Sequence, residues 1–314
     1  MKIVVTGALG HIGSRLIREL PVRFPDAEIV LVDDLSTQRY CSLFDLPAGG
    51  RYRFVEKNVL TDDLGGILRG ASVVVHLAAI ANAAGSFEIR DKVEQVNFEG
   101  TQRVARACVE AGAPLVFLST TSVYGTAAKV VDEDCRPDEL KPQSPYAESK
   151  LRAEHMLTAV GRERGLRFVT CRFGTIFGVS IGMRFHTAIN KFCWQAVMKQ
   201  PITVWRTAMH QVRPYLDLGD AVEALTLIMK NELYDRRVYN VVTANSSVHA
   251  ITETISRYVP DISIEFVDSE IMNQLSYEVS ARRFEAVGFR SRGQLEQGIR
   301  ETVELLRGAN SCRR

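Results

Sequence analysis

Tyr146 and Lys150 stand four residues apart in the stretch Gln143-Ser144-Pro145-Tyr146-Ala147-Glu148-Ser149-Lys150. On a helix that spacing puts both side chains on one face. A phenol is ordinarily a poor base, with a pKa of about 10. An ammonium beside it favours the phenolate and brings proton abstraction from an alcohol into reach. A solvated tyrosine and lysine on an amphipathic helix fit the same spacing equally well, so the rest of the chain must choose. The helix itself is well signalled. Ser144 suits an N-cap, Pro145 the first helical position, and Gly165 a stop after about Glu163.

The elements ahead of that helix have a regular rhythm. Lys2 to Val5 reads as a buried strand that runs into Thr6-Gly7-Ala8-Leu9-Gly10-His11-Ile12-Gly13-Ser14. A helical pattern through Leu16, Ile17 and Leu20 follows, with Pro21 and Pro25 expected to end it. Strand, glycine loop and helix form a dinucleotide fingerprint: Gly7 for the tight turn, Gly10 for close backbone approach to a pyrophosphate, Gly13 for helix–strand packing. The positive end of the helix then faces the phosphates. A second strand, Glu28 to Val32, ends in Asp33-Asp34, where a carboxylate would grip a ribose and repel a 2′-phosphate. NAD is therefore expected over NADP.

Further strands are expected at Tyr52 to Glu56 (ending in Asn58-Val59), Ser72 to His76, Leu115 to Leu118, Arg167 to Arg172 and Val238 to Val242. After the second of these, Leu77-Ala78-Ala79 leaves room for a flat ligand on bare backbone. A helix is expected to open at Asn97 and stop at Gly112, and a hydroxyl cluster, Ser119-Thr120-Thr121-Ser122, follows the next strand. Alternating strands and helices predict an α/β, Rossmann-type doubly wound parallel sheet. Ligands on such sheets collect at the carboxyl ends of the strands, where these motifs fall. From Val179 the rhythm changes, which suggests a smaller α/β substrate-binding cap. The expected division is a dinucleotide-binding part over 1–178, completed by about 213–246, and a cap over 179–212 and 247–310, with two helices around a strand at Ser263 to Val267. Residues 311–314 form a tail.

Composition removes other classes. A net charge of +2 with dispersed basic residues gives no reason to expect nucleic acid. No apolar run is long enough to span a bilayer, and no signal-peptide pattern opens the sequence. The six cysteines include no Cys-x-x-Cys and no metal-ligand spacing with a histidine, so reduced thiols and a cytoplasmic location are expected. His186 and His210 read as loop or cap residues.

Taken together, Thr6-Gly7-x-x-Gly10-x-x-Gly13, Asp33, His76-Leu77-Ala78-Ala79, Asn97-x-x-Gly100-Thr101, Ser119 to Gly125, Tyr146-x-x-x-Lys150 and Arg172-Phe173 leading to Gly178 resemble one family. It is the extended short-chain dehydrogenase/reductase family, in its nucleotide-sugar epimerase/dehydratase branch, and the likeness covers nearly the whole chain. The resemblance implies that Tyr146 takes a proton from a sugar hydroxyl while hydride passes to NAD. Lys150 would bind the nicotinamide ribose and lower the tyrosine pKa, and Thr120 would hydrogen-bond the same hydroxyl. Cofactor contacts would fall to Gly7, Gly10, His11, Ile12 and Gly13 in the loop, and to Asp33, Asp34, Asn58 and Val59 at the next strand ends. Leu77, Ala78, Ala79 and Asn97 would line the middle, with Ser119 and Phe173 near the nicotinamide. Asn58 stands where the family usually has an Asp. A homodimer through the helices beginning near Asn97 and Ser144 is implied as well.

Within the branch, 4,6-dehydratases typically carry Asp-Glu directly after the catalytic Thr, where this chain has Thr121 and Ser122. Elimination needs an acid and a base on adjacent carbons, and the second group is missing. The expected reaction is therefore 4-epimerisation of a nucleotide sugar. Thr175 resembles the uronic-acid epimerases, in which hydroxyls hold a C6 carboxylate together with the Thr120 to Ser122 loop. Arg213 sits where the family contacts the nucleotide diphosphate, and Arg184 is a second phosphate or carboxylate candidate; Ala81 and Val204 complete the expected substrate contacts. Pro214 and the stretch Asp268-Ser269-Glu270-Ile271 depart from the family pattern. A dehydrogenase, a reductase or a dehydratase of the same family is the alternative, and a non-catalytic NAD-binding protein a more distant one.

Overall fold

The computed structural model describes residues 1–125, 129–268 and 276–310. The tail and Ser269 to Ile271 lie outside that set. The cofactor-side elements are β1 (Lys2–Thr6), α1 (His11–Arg23), β2 (Glu28–Asp33), β3 (Arg51–Glu56), a one-turn α2 (Gly65–Leu68), β4 (Val73–His76), α3 (Arg90–Val93), α4 (Gly100–Ala111) and β5 (Leu115–Thr120). The two-residue β6 (Val130–Val131), α5 (Pro145–Arg164), β7 (Phe168–Phe173) and β8 (Thr175–Phe177) follow. Next come α6 (Ala188–Val197), β9 (Ile202–Trp205), β10 (Val212–Asp217), α7 (Leu218–Lys230), β11 (Asp235–Val241), β12 (Ala244–Ser247) and α8 (Val248–Tyr258). The last are β13 (Ile264–Val267), β14 (Glu278–Val279), α9 (Arg282–Ala286) and α10 (Leu295–Arg307).

Seven strands form one parallel sheet in the order β11-β7-β5-β4-β1-β2-β3. Successive side chains of a strand point to opposite faces, so a strand covered on both faces must be apolar throughout. In β1, Ile3 and Val5 join a core with Leu16, Ile17 and Leu225. Val4 points the other way into a core with Val30, Val104 and Leu157. The order reverses between β1 and β4, which opens the crevice where such sheets bind ligands. This is the doubly wound Rossmann-type sheet that the sequence predicts.

A third core gathers Phe192 and Cys193 of α6, Ile251 and Ile255 of α8, and Ile299 and Val303 of α10. It is the centre of the smaller α/β cap, whose β9 and β13 pair in parallel. β8, β10 and β12 form a separate three-stranded sheet. Phe284 and Phe289, late in the chain, stack on each other at 4.7 Å and join the core of the main sheet.

Four local expectations change. Pro21 does not end α1 but lies inside it. A helical proline leaves the carbonyl four residues back without its N–H donor; here the Tyr52 hydroxyl donates to the Ile17 carbonyl at 2.9 Å instead. The helix does not open at Asn97 either. It starts at Arg90 and widens into a π-helical stretch over Glu94–Glu99 before α4. β5 runs to Thr120, beyond the expected Leu118, because Thr120 still pairs with Phe173. Among the described residues after Ser247 there are three helices and a second short strand, where two helices around one strand were expected. The end signals of α5 are as anticipated: the Ser144 hydroxyl accepts from the Ala147 N–H at 3.2 Å, and Gly165 closes the helix at φ 73°.

Candidate active site

A cavity of about 500 Å³ opens along the carboxyl ends of the strands. The glycine loop forms one wall. Gly7 sits at φ +65°, and a Cβ there would lie 2.5 Å from the Ala78 nitrogen. A Cβ on Gly13 would lie 2.5 Å from the Gly7 carbonyl oxygen. Only glycine permits both approaches. The first turn of α1 leaves backbone N–H groups without intrahelical partners, and no acid stands in it to compete for them. That is a seat for an anion. His11 is buried beside it, with Nδ1 bonded to the Ser180 hydroxyl at 2.7 Å and Nε2 without a protein partner. Burial and the nearby cations Arg184 and Arg39 push its pKa down to about 3, so the ring is neutral.

The helix α5 and the end of β5 build the opposite wall. Thr120 stands close enough to Tyr146 for its hydroxyl to favour the phenolate, and Thr120 Oγ1 accepts from the Ser122 N–H at 3.1 Å. Burial pushes the Tyr146 phenol up to about 12, against the opposing pull of Thr120 and Arg184. Lys150, expected to lower the phenol, lines the same cavity. Its ammonium lies over the Phe117 ring, 4.9 Å from the centroid. Burial brings the lysine down to about 8, and Glu154 resists that shift. All three side chains line the same cavity, so the helix face that carries Tyr146 and Lys150 is not a solvated one.

Most of the expected contacts are brought together. Gly7, Gly10, His11, Ile12, Gly13, Leu77, Ala79 and Phe173 line the cavity on the glycine-loop side. Ala81, Thr121, Ser122, Thr175, Arg184, Val204 and Arg213 line it towards the cap. The backbone at Ala78 abuts Gly7. Other expected residues act one step back. Asp33 accepts from the Leu9 N–H at 3.0 Å and the Leu35 N–H at 3.1 Å, so its carboxylate braces the glycine loop. Asp34 is exposed and accepts from the Asn58 amide at 3.1 Å, while the Asn58 carbonyl accepts from Leu60. Val59 belongs to the core beneath. Asn97 is fully buried and uses its amide on both backbone groups of Ile80 and on Ser149. Ser119 reaches the cavity wall, but its hydroxyl donates to the Glu154 carboxylate.

Several further residues line the cavity beyond the expected contacts. Tyr277 is buried, donates its hydroxyl to the Thr121 carbonyl at 3.1 Å, and carries the Arg213 guanidinium 5.2 Å above its ring. His186, lowered to about 4 by burial and by Arg184, reaches the Ala81 backbone. Lys191 donates to Thr203 at 2.7 Å. The charged side chains of this cavity are all basic: Lys150, Arg184, Lys191 and Arg213. No Asp or Glu lines it among the described residues. The arrangement suits a ligand with several negative charges, and it offers one proton-transfer group at Tyr146.

A model of the NAD dependent epimerase/dehydratase family matches residues 3–241. The chain belongs to that family. NAD is its cofactor, and the glycine loop, the free N–H groups of α1 and the unpartnered His11 Nε2 fit a bound pyrophosphate. The substrates of the branch are nucleotide sugars. An uncharacterized UDP-glucose epimerase of Bacillus subtilis is 31% identical over 73% of this chain and 72% of its own length. A trifunctional UDP-glucose 4,6-dehydratase/3,5-epimerase/reductase of Arabidopsis thaliana is 29% identical over 96% of this chain. The chain spans 46% of that protein's length. A solved complex of MoeE5 with UDP-glucuronic acid and NAD is similar across 98% of this chain and 100% of its own, at 28% identity and a TM-score of 0.85. Among the described residues, no helix is long and apolar enough to cross a membrane.

Proposed function

We propose that this enzyme is a nucleotide-sugar 4-epimerase. The observation that carries the reading is the pairing of Thr120, Tyr146 and Lys150 with a cavity wall that has no carboxylate among the described residues. NAD, held by the glycine loop and the head of α1, would supply the hydride acceptor and donor for C4. Tyr146 accepts the proton of the 4-hydroxyl and returns it, and the neighbouring Thr120 hydroxyl is placed to help relay it. Loss of water from C5–C6 would need a further acid–base pair beside the ring. Among the described residues, the two side chains that follow Thr120 (Thr121 and Ser122) are hydroxyls that titrate far from neutrality, and no carboxylate stands in their place.

We further propose a UDP-hexuronic acid as substrate. Arg184 lies close enough to Tyr146 to influence its titration, and with the hydroxyls of Thr121, Ser122 and Thr175 it could take up a C6 carboxylate. An unmatched buried carboxylate would be costly, so such a substrate requires this kind of neighbourhood. Arg213, held over Tyr277, would serve the diphosphate. MoeE5 is solved both with UDP-glucuronic acid and with UDP-glucose, so it supports a UDP-sugar and leaves the choice at C6 to the residues above. Dimerisation through α3, α4 and α5 is proposed with the reaction, and light scattering tests it.

The test is to incubate the purified enzyme with UDP-glucuronic acid, UDP-glucose and their C4 epimers and follow the sugars by NMR. The expected result is interconversion at C4 without added cofactor, fastest for the uronates. Formation of a 4-keto-6-deoxy sugar would favour the dehydratase reading that the Arabidopsis relative suggests.

A further inference from the structure

Glu154 lies outside the cavity, yet it is tied to the elements that carry the catalytic set. It follows Lys150 by four residues on α5 and is almost wholly buried. Arg172 of β7 grips it with Nε at 3.0 and 3.2 Å and Nη2 at 2.6 Å. The Ser119 hydroxyl donates to the same carboxylate. Arg172 also donates to the Tyr124 hydroxyl at 3.0 Å, and that hydroxyl donates to Asn240 at 2.9 Å. Ser119 and Tyr124 are the two ends of the turn that carries Thr120, Thr121 and Ser122. One buried ion pair therefore pins both ends of the hydroxyl loop to the helix that bears Tyr146 and Lys150.

A buried ion pair is a weak stabiliser, because desolvation of both partners offsets their attraction. Packing alone gives little reason for a carboxylate at this place. Its neighbours supply one. Lys150 is surrounded by Tyr146 and Glu154 of its own helix, by His76 of β4, and through Glu154 by Arg172 of β7 and Tyr124. His76 is held between Thr6 and Thr101 and stays neutral, with its pKa pushed down to about 3 by burial and by Lys150. Glu154, one helical turn from Lys150 on the same buried face, is the group among these that opposes the loss of the lysine's charge.

We propose that Glu154, clamped by Arg172, is a positioning residue of the reaction: it fixes the Thr120 loop against α5 and holds Lys150 as an ammonium. The inference rests on the reading of Tyr146 and Lys150 as the proton-transfer pair. Glu154→Gln keeps the shape and removes the charge. Lys150 then titrates below its present value of about 8, so the alkaline limb of kcat moves to lower pH. If it moves by about one pH unit, the ammonium fraction at pH 8 falls from about one half to about one tenth. The expected result is kcat about fivefold below wild type at pH 8, a ratio that recovers towards one near pH 6, and an unchanged KM. Ser119→Ala keeps the charge but frees one end of the loop. It is expected to lower kcat severalfold with the alkaline limb and the NAD content unchanged, and it keeps the positioning half testable if Glu154→Gln fails to fold. A Glu154→Gln profile that superimposes on wild type, or one equally depressed at every pH, overturns the charge role. Wild-type kcat in Ser119→Ala overturns the positioning role. An active Tyr146→Phe enzyme would instead overturn the underlying reading, so the two failures are distinguishable.

Discussion

Gly182 offers a sharp test of how the cap meets the cofactor loop. The segment from Gly178 to Thr187 lies against the glycine loop. Gly182 N–H donates to the Ser14 hydroxyl at 3.0 Å, Ser180 bonds His11, and Arg39 donates to the carbonyls of Gly182 and Met183. A Cβ at position 182 would stand 2.6 Å from the carbonyl oxygens of Leu9 and Gly10. Both are backbone atoms at the head of α1, and restoring an ordinary contact of 3.4 Å needs about 0.8 Å of separation. Overpacking of this kind costs about 1–3 kcal/mol, and the bonds to Ser14 and Arg39 contribute about 1 kcal/mol each. If both bonds are lost with the overpacking, Gly182→Ala should cost about 3–5 kcal/mol of loop–cap contact. Since about 1.4 kcal/mol is tenfold, NAD should dissociate at least about tenfold faster. The assay is stopped-flow release of NAD into an excess of a trapping dehydrogenase, with calorimetry of thermal unfolding alongside. Gly66→Ala is the control, because a Cβ there meets nothing within 4 Å. A Gly182→Ala enzyme that holds NAD and unfolds like the Gly66 variant would refute the reasoning.

Three other outcomes follow from the site. Tyr146→Phe should lower turnover by about 10²–10⁴-fold while NAD stays bound, since the phenol belongs to the proton path; HPLC of released cofactor and an NMR activity assay check both halves. Arg184→Gln should raise KM for a UDP-uronate by about 10- to 100-fold, the range of a lost hydrogen bond to a charge, with a much smaller effect on the matching UDP-hexose. Stability should fall on acidification, because His11 and His76 titrate near 3 when folded and near 6.5 when unfolded. Below pH 6.5 the unfolded chain binds protons that the folded chain refuses, so stability is lost progressively from about pH 6.5 down to about pH 3. Urea titrations at pH 7 and pH 5 should differ by up to about 2 kcal/mol per histidine, and a His76→Asn variant should show a shallower dependence.

Much of the sheet was legible because its signals are local. Val73-Val74-Val75 reads as a strand buried on both faces, and Ser144-Pro145 reads as a helix start, whatever lies elsewhere in the chain. Tyr146 and Lys150 were legible for the same reason. What stayed hidden depends on contacts between distant residues. Nothing around Gly182 says that it will touch Leu9, 173 positions earlier. Pro21 looked like a helix stop because its compensating donor, Tyr52, lies on another strand. Ser119 and Asn97 carry groups that suit a cofactor, yet buried partners on neighbouring helices claim them first. The signal for Glu154 was available in its spacing of four from Lys150 on a helix already recognised. Tyr277 had no such signal, since it follows a stretch unlike the family pattern.

The measurement that bears most directly on the central claim is the fate of a deuterium placed at C4 of a UDP-uronate or UDP-hexose substrate. If Tyr146 serves one oxidation and one re-reduction at the same carbon, NMR will find the label retained at C4 of the inverted product. Transfer of the label to C6 with loss of water, or its accumulation in released NADH, would contradict the account.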